Sequence, residues 1–414
     1  MFLVSHIHSH SLISCRRADV ERLFSSLDFQ PGPPSARFLP SLPLEVIHHI
    51  ADTFLPVTVD SESKTVGHSI SLVCRSWRSI GQSLLFHRLS IRSLAESCPR
   101  LQHLLSPSFS HARRVKLLLV DVTSCRHPVL TLRPLLDRCC QLSDVALYGP
   151  PKNLSQSLRD LALSPVRHTL KTLAIAIEQV ANQSFEERDV DGFLDALGSF
   201  SALEDLQIQI PVSLGRLLSP AQYRIKVAKF SLCICSSEKE EPKEADFEHT
   251  SLSILSLLSH SHLKELKLLP ASSSQAFVDS LPLHTSLSSM TLVSFNRSPT
   301  HLIKSLLPVL SSLVPLRYLS IRAMEEEEEE EEVEENPSIE STTSSFLRLL
   351  PPHLKTLDLD YSVNRSTSES IEGLLLNSRE GALKRVTWVE NSQGKRVYQR
   401  RVKQTVEGLG NVWV

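Results

Sequence analysis

The sequence predicts an α/β chain: a small N-terminal helical module followed by a curved solenoid of short parallel strands with helices outside. Three observations carry that prediction. A triple of apolar residues at i, i+3 and i+5 recurs along most of the chain, helix-patterned apolar patches lie between its copies, and the stretch ahead of the repeats has the pattern of a compact helical unit.

Length and composition set the frame. The 414 residues are 41% hydrophobic and 22% charged, enough for a sizeable core and two domains, and too apolar for extensive disorder. No stretch reaches the roughly 18 uninterrupted apolar residues of a membrane helix, so no membrane partner is expected. Lys and Arg number 44 against 46 Asp and Glu, but ten of those acids fall within the eleven residues 325–335, leaving 44 bases against 36 acids elsewhere. The near-neutral total therefore averages two unlike parts. The twelve glycines form neither G-x-G-x-x-G nor a P-loop, so a nucleotide cradled on a glycine-rich loop is not expected.

Residues 1–37 are polar and irregular and close with Gln30-Pro31-Gly32-Pro33-Pro34, which predicts a mobile tail. Its first ten residues lack a positive n-region, and His6, His8 and His10 interrupt any h-region, so a secretory leader is not expected. The eight cysteines include no C-x-x-C and read as reduced, mostly buried thiols of a cytoplasmic or nuclear protein.

Residues 38–91 form the helical module. Leu42-Pro43 precedes Leu44, Val46, Ile47 and Ile50, with Glu45 and His48 between, the spacing of a short amphipathic helix. A second apolar helical segment over residues 69–80 turns Leu72, Val73 and Trp77 to one side. So small a unit cannot hide this much apolar surface, and the exposed part needs a partner. The alternative is that Ile47, Leu72 and Trp77 close the module's own core.

The repeat follows. Its triples are Phe86/Leu89/Ile91, Ala112/Val115/Leu117, Leu142/Val145/Leu147, Leu170/Leu173/Ile175, Leu203/Leu206/Ile208 and Val227/Phe230/Leu232. They continue as Leu263/Leu266/Leu268, Leu287/Met290/Leu292, Leu316/Leu319/Ile321, Leu354/Leu357/Leu359 and Leu383/Val386/Trp388. The ten intervals run from 24 to 38 residues and average about 30. Because side chains alternate along a strand, i+3 and i+5 share one face, and residue i closes the turn into the strand. Between the triples, patches such as Phe193-Leu194-x-x-Leu197, Ile254-Leu255-x-Leu257-Leu258, Leu302-Ile303-x-x-Leu306-Leu307 and Phe346-Leu347 read as helices.

One such unit cannot cover its own apolar face, so the units must stack, which is the arrangement of the leucine-rich-repeat solenoid, here over residues 92–414. No Asn or Cys consistently follows the strands, so the side-chain ladder of the regular repeat is not expected. The alternative is a generic α/β domain whose leucines happen to fit. The two longest intervals hold acidic segments, 238–248 and 325–335, which are expected to be solvated loops.

Leu42-Pro43-Leu44-Glu45-Val46-Ile47-x-x-Ile50, then Leu72-Val73-Cys74-Arg75-Ser76-Trp77-Arg78, then Leu85-Phe86-His87-Arg88-Leu89-Ser90-Ile91 together resemble an F-box. Placed ahead of the repeats, they look most like the F-box proteins with irregular leucine-rich repeats that are abundant in mushroom-forming fungi. The resemblance implies docking on a Skp1-like adaptor and, through it, on a cullin-containing ubiquitin ligase. Leu42, Pro43, Glu45, Val46, Ile47, Ile50, Leu72, Val73, Cys74 and Trp77 would form the adaptor-binding surface, and the solenoid would hold a protein substrate. The chain would then be a non-enzymatic substrate-recognition subunit; a ligase-independent repeat scaffold is the alternative.

Other chemistry finds little support. Gly67-His68-Ser69-Ile70-Ser71 begins like a nucleophile elbow, but Ser71 stands where the closing glycine belongs. Cys139-Cys140 and Cys233-x-Cys235 lack the spacing of a zinc site. On a strand Cys233 and Cys235 would share a face, and they are expected to be buried thiols. The basic residues between Lys384 and Lys403 have too little aromatic interleaving to stack bases, so they are expected to cap the solenoid end rather than bind nucleic acid. No catalytic, cofactor-binding or metal-binding residue is expected.

Overall fold

The structure is a computed structural model that describes residues 86–91, 99–121, 131–178, 187–212, 225–235, 244–258, 262–294, 300–323, 345–363, 383–392, 395–406 and 410–413. The chain divides into two units, Met1–Arg88 and Leu89–Val414. The tail 1–37, the module up to residue 85 and the acidic segment 325–335 lie outside the described residues.

The strands of the second unit, with the residue that leads into it, are β1 (Arg88–Ile91), β2 (Leu117–Asp121), β3 (Asp144–Gly149), β4 (Thr172–Ile177), β5 (Asp205–Pro211) and β6 (Lys229–Cys235). They continue as β7 (Glu265–Ala271), β8 (Ser289–Ser294), β9 (Tyr318–Ala323), β10 (Thr356–Val363), β11 (Arg385–Ser392), β12 (Lys395–Val406) and β13 (Gly410–Trp413). All lie in one sheet in sequence order. Every pairing from β2 to β11 is parallel, and β12 and β13 close the end as antiparallel strands. A parallel sheet whose neighbours are always consecutive is a solenoid, because each connection returns to start one strand further along.

The connections hold helices α1 (Pro99–Leu105), α2 (Arg133–Leu136), α3 (Pro151–Leu163), α4 (Glu187–Gly198), α5 (Glu244–Leu257), α6 (Gln275–Ser280) and α7 (Thr300–Leu310). The patches at Phe193, Ile254 and Leu302 fall in α4, α5 and α7, as their spacing predicts. The Phe346-Leu347 patch is likewise helical over 345–348. A small apolar seam shows how helix meets strand: Phe193, Leu194 and Leu197 of α4 line it with Leu206 and Ile208 of β5 and Phe230 of β6.

The core is two unbroken rows of side chains. One runs Leu118, Val145, Leu173, Leu206, Phe230, Leu266, Met290, Leu319, Leu357 and Val386, each paired with the next across adjacent strands. The other runs Val120, Leu147, Ile175, Ile208, Leu232, Leu268, Leu292, Ile321, Leu359 and Trp388 in the same pairings. None of these twenty side chains is more than 6% exposed. They are the i+3 and i+5 positions of the triples in every unit but one.

The exception corrects the frame of the second unit. Its triple is Val115/Leu118/Val120, not Ala112/Val115/Leu117: Ala112 sits in the 3-10 turn Ser110–Arg114, and Leu117 is half-exposed on the other face. Leu117 through Val120 are all apolar, so alternation cannot choose the inward pair; pairing of Leu118 with Val145 and Val120 with Leu147 does.

The missing side-chain ladder has a backbone substitute. From β2 to β10, the carbonyl just ahead of the strand accepts two N–H bonds from the following repeat. Lys116 accepts from Ser143 and Asp144, Ser143 from Lys171 and Thr172, Lys171 from Glu204 and Asp205, and Glu204 from Ala228 and Lys229. Ala228, Lys264, Ser288, Arg317 and Lys355 continue the series, with every distance between 2.7 and 3.1 Å. No particular side chain is needed, so the sequence at this position is free to vary.

Two polar stitches reinforce the N-terminal repeats. The Asp160 carboxylate of α3, 5% exposed, accepts from Leu132 N at 2.6 Å and Thr131 Oγ1 at 2.9 Å, capping the start of α2 in the preceding repeat. Arg138 reaches back the same way, donating to Leu104 O at 2.9 Å and Leu105 O at 3.1 Å at the end of α1.

Of the acidic segment 238–248, residues 238–243 lie outside the described residues, and the rest is helical rather than the expected loop. Its second half, from Glu244, opens α5, and Phe247 within it is 3% exposed. Phe247 anchors the first turn of the helix in the core.

Two outcomes follow for urea unfolding of the full chain. Leu118→Ala is expected to cost about 2–5 kcal/mol and Leu117→Ala less than half as much; equal losses would refute the corrected frame. Asp160→Ala is expected to cost about 1–3 kcal/mol, because a buried N–H loses its acceptor, and Asp160→Asn less.

Candidate functional site

Strand residues that do not face the helices make up the other side of the sheet, and from β3 to β11 they run as continuous rows, accessible at most positions but not at Ser320. In register, one row reads Asp144, Thr172, Asp205, Lys229, Glu265, Ser289, Tyr318, Thr356 and Arg385. The next reads Ala146, Ala174, Gln207, Ser231, Lys267, Thr291, Ser320, Asp358 and Thr387. Packing of the core against the helices does not depend on these side chains, so this is the face of the sheet whose chemistry is free to vary.

The face divides into three stretches. Over β3 and β4 it is low in relief, with Ala146, Ala174 and Ala176 beside Tyr148, which is 37% exposed. Burial, with Glu178 and Asp121 nearby, pushes the Tyr148 phenol above its usual value and marks this end as acidic.

Over β5 to β7 the face is densely polar. Gln207 and Asp205 are hydrogen-bonded at 3.5 Å, and Lys229 pairs with Glu265 at 3.6 Å. Burial raises the Asp205 carboxyl against that hydrogen bond and the Lys229 charge, and lowers the Lys267 ammonium, with Arg322 adding to the effect. Over β9 and β10 Arg322 bridges Asp358 at 3.4 Å and Asp360 at 3.9 Å, and its Nε donates to Ser320 Oγ at 3.2 Å. Beneath this arch Ser320 is fully buried. Exposed pairs of this kind add little stability, about 0–1 kcal/mol, but they fix where charge is presented.

Cys233 and Cys235 sit in the polar stretch. They share a face as expected, but it is the open one: both are half-buried, and their sulfurs are 3.9 Å apart. The expectation of core burial fails because Phe230, Leu232 and Ile234 occupy the inward positions of β6. The Gln209 amide, 3.2 Å away, donates to Cys235 Sγ, and the Cys233 thiol donates to it as well when Cys235 is the thiolate. Together they outweigh burial and bring the Cys235 thiol down to about 7. The same hydrogen bond, with burial, pushes Cys233 strongly up. Cys139 is a core thiol, raised by burial to about 12.

All ten residues assigned to the adaptor surface, Leu42, Pro43, Glu45, Val46, Ile47, Ile50, Leu72, Val73, Cys74 and Trp77, lie outside the described residues. The closing part of the F-box-like motif is described: Leu89 and Ile91 are buried in β1, the first strand of the sheet. Among the described residues no group of three or more His, Cys, Asp or Glu is placed to hold a metal, and no helix is long and apolar enough to cross a membrane. The basic C-terminal segment forms β12, antiparallel to β11 with Arg385 opposite Val402.

No protein-family profile matches the chain, and no curated protein matches it. Among solved structures, the crystal structure of a TLR13–ssRNA13 complex aligns over 64% of this chain and 32% of that one, at 14% identity and a TM-score of 0.32. The chain thus spans about a third of that protein's length. The class follows from the strand order and register described above: an α/β, leucine-rich-repeat-like solenoid with one long strand face that carries no helices among the described residues.

The thiols give a pH test. Cys235 is expected to react with iodoacetamide at a rate that rises through an inflection near pH 7, while Cys139 stays unreacted, as read by mass spectrometry. An inflection above about 8.5, the ordinary thiol value, would show that the two hydrogen bonds do not form.

Proposed function

We propose that this chain is the substrate-recognition subunit of a Skp1–cullin–F-box ubiquitin ligase. In this reading the N-terminal module docks on a Skp1-like adaptor, the open strand face holds a protein substrate, and the ligase chemistry belongs to other subunits. One observation carries it: the L-P-x-E, V-C-R-x-W and L-F-x-x-L-x-I segments stand in order directly ahead of a parallel repeat sheet.

Two features support the division of labour. The closing motif runs into β1, so the repeats begin where the module ends. The open face combines fixed charge pairs with a flat alanine-lined stretch, which suits a folded protein or an extended peptide better than a small molecule.

Co-expression with Skp1 tests the proposal. A stable 1:1 complex on size exclusion is expected from the wild-type chain, with binding reduced at least about tenfold by Leu42→Ala with Pro43→Ala, since the two truncations remove buried apolar contacts worth more than 1.4 kcal/mol together. No complex, or equal binding by both proteins, would refute it. A complex that retains Skp1 and never captures cullin would instead establish a ligase-independent scaffold.

A further inference from the structure

The geometry points to Cys233 and Cys235 as a two-thiol clamp for a thiophilic monovalent cation of the Cu(I) class, held on the open strand face. The pair sits at i and i+2 of β6, so both sulfurs emerge on one side of the sheet, half-buried and 3.9 Å apart. Two thiolates hold a two-coordinate Cu(I) close to in line, so at metal–sulfur bonds of about 2.3 Å the sulfurs stand about 4.6 Å apart, a separation reached from 3.9 Å by small rotations about the two Cα–Cβ bonds.

Direct disulfide closure is the competing fate, and the sheet opposes it. Two residues of extended chain span about 6.6–7.2 Å between Cα atoms, at or beyond the upper end of the disulfide range, and the S–S bond would have to shorten the gap to about 2.05 Å. β6 is hydrogen-bonded in register to β5 through Cys235 and to β7 through Cys233, so its backbone cannot contract freely. A bridging ion asks for no such contraction.

The surroundings select the ion. Zinc takes four ligands, and among the described residues no third His, Cys, Asp or Glu joins the pair. Two soft thiolate donors suit Cu(I), which prefers thiolates over harder ligands. Binding releases both thiol protons to solvent and leaves an anionic bis-thiolate, with no change of oxidation state. Lys267, on the adjacent strand next to Cys233 along the diagonal, supplies the compensating charge. Gln209 Nε2, 3.2 Å from Cys235 Sγ, gives the sulfur a fixed donor as second-layer support.

The test is anaerobic competition for Cu(I) held by excess bathocuproine disulfonate. The wild-type chain is expected to withdraw one equivalent more than either Cys233→Ser or Cys235→Ser, with unchanged thermal unfolding of both variants. A folded variant that withdraws as much as the wild type overturns the clamp. In the wild-type chain itself, Cu(I) at that stoichiometry is expected to protect both cysteines together from N-ethylmaleimide; protection of one alone, or of neither, also overturns it.

Discussion

Each repeat ties itself to the next through a single backbone carbonyl placed one residue after the leading apolar position of the triple. Nine such carbonyls, from Lys116 to Lys355, each accept two N–H bonds from the following repeat. This bond pair fixes where the next strand starts, and parallel pairing then carries the register along it. With the start fixed, i+3 meets i+3 and i+5 meets i+5, and the two core rows form without interruption from Leu118 to Trp388. A slip of one residue would turn a row of leucines to solvent, so the carbonyl ladder and the apolar rows enforce each other.

Because the ladder uses only backbone atoms, the connections can differ in length and in helix content. Among the described residues, the segment leading into β7 carries the 14-residue helix α5 and that leading into β3 the 4-residue α2. Short connections gain local stitching from elsewhere: Asp160 and Arg138 cap the flanking helix ends across repeat boundaries. The same division leaves the opposite strand face unconstrained, since none of its side chains is required for the stack. Fixed ion pairs, a flat alanine stretch and a thiol pair can coexist there without cost to the core.

The repeat was legible because burial of alternate residues leaves a strong pattern wherever polar neighbours provide contrast. It failed at Leu117–Val120, where four apolar residues in a row remove that contrast and only pairing with β3 selects Leu118 and Val120. The acidic segment misled for a related reason. Charge predicts a solvated loop, and a helix start at Glu244 nonetheless buries Phe247. The exposure of Cys233 and Cys235 was implicit in the triple Val227/Phe230/Leu232, since odd positions must face away once 230 and 232 face in.

By itself the sequence determined the fold class, the strand positions in all but one unit and the helix-bearing connections, because these follow from local periodicity and the need to cover apolar surface. The F-box-like segments are likewise a property of residue order alone. Only the tertiary structure decided the carbonyl ladder, the frame of β2, the cross-repeat capping by Asp160 and Arg138, and the 3.9 Å approach of two thiols. Those depend on which residue of one repeat lies beside which residue of the next. That relation is set by stacking across about thirty residues of chain, and no local pattern encodes it.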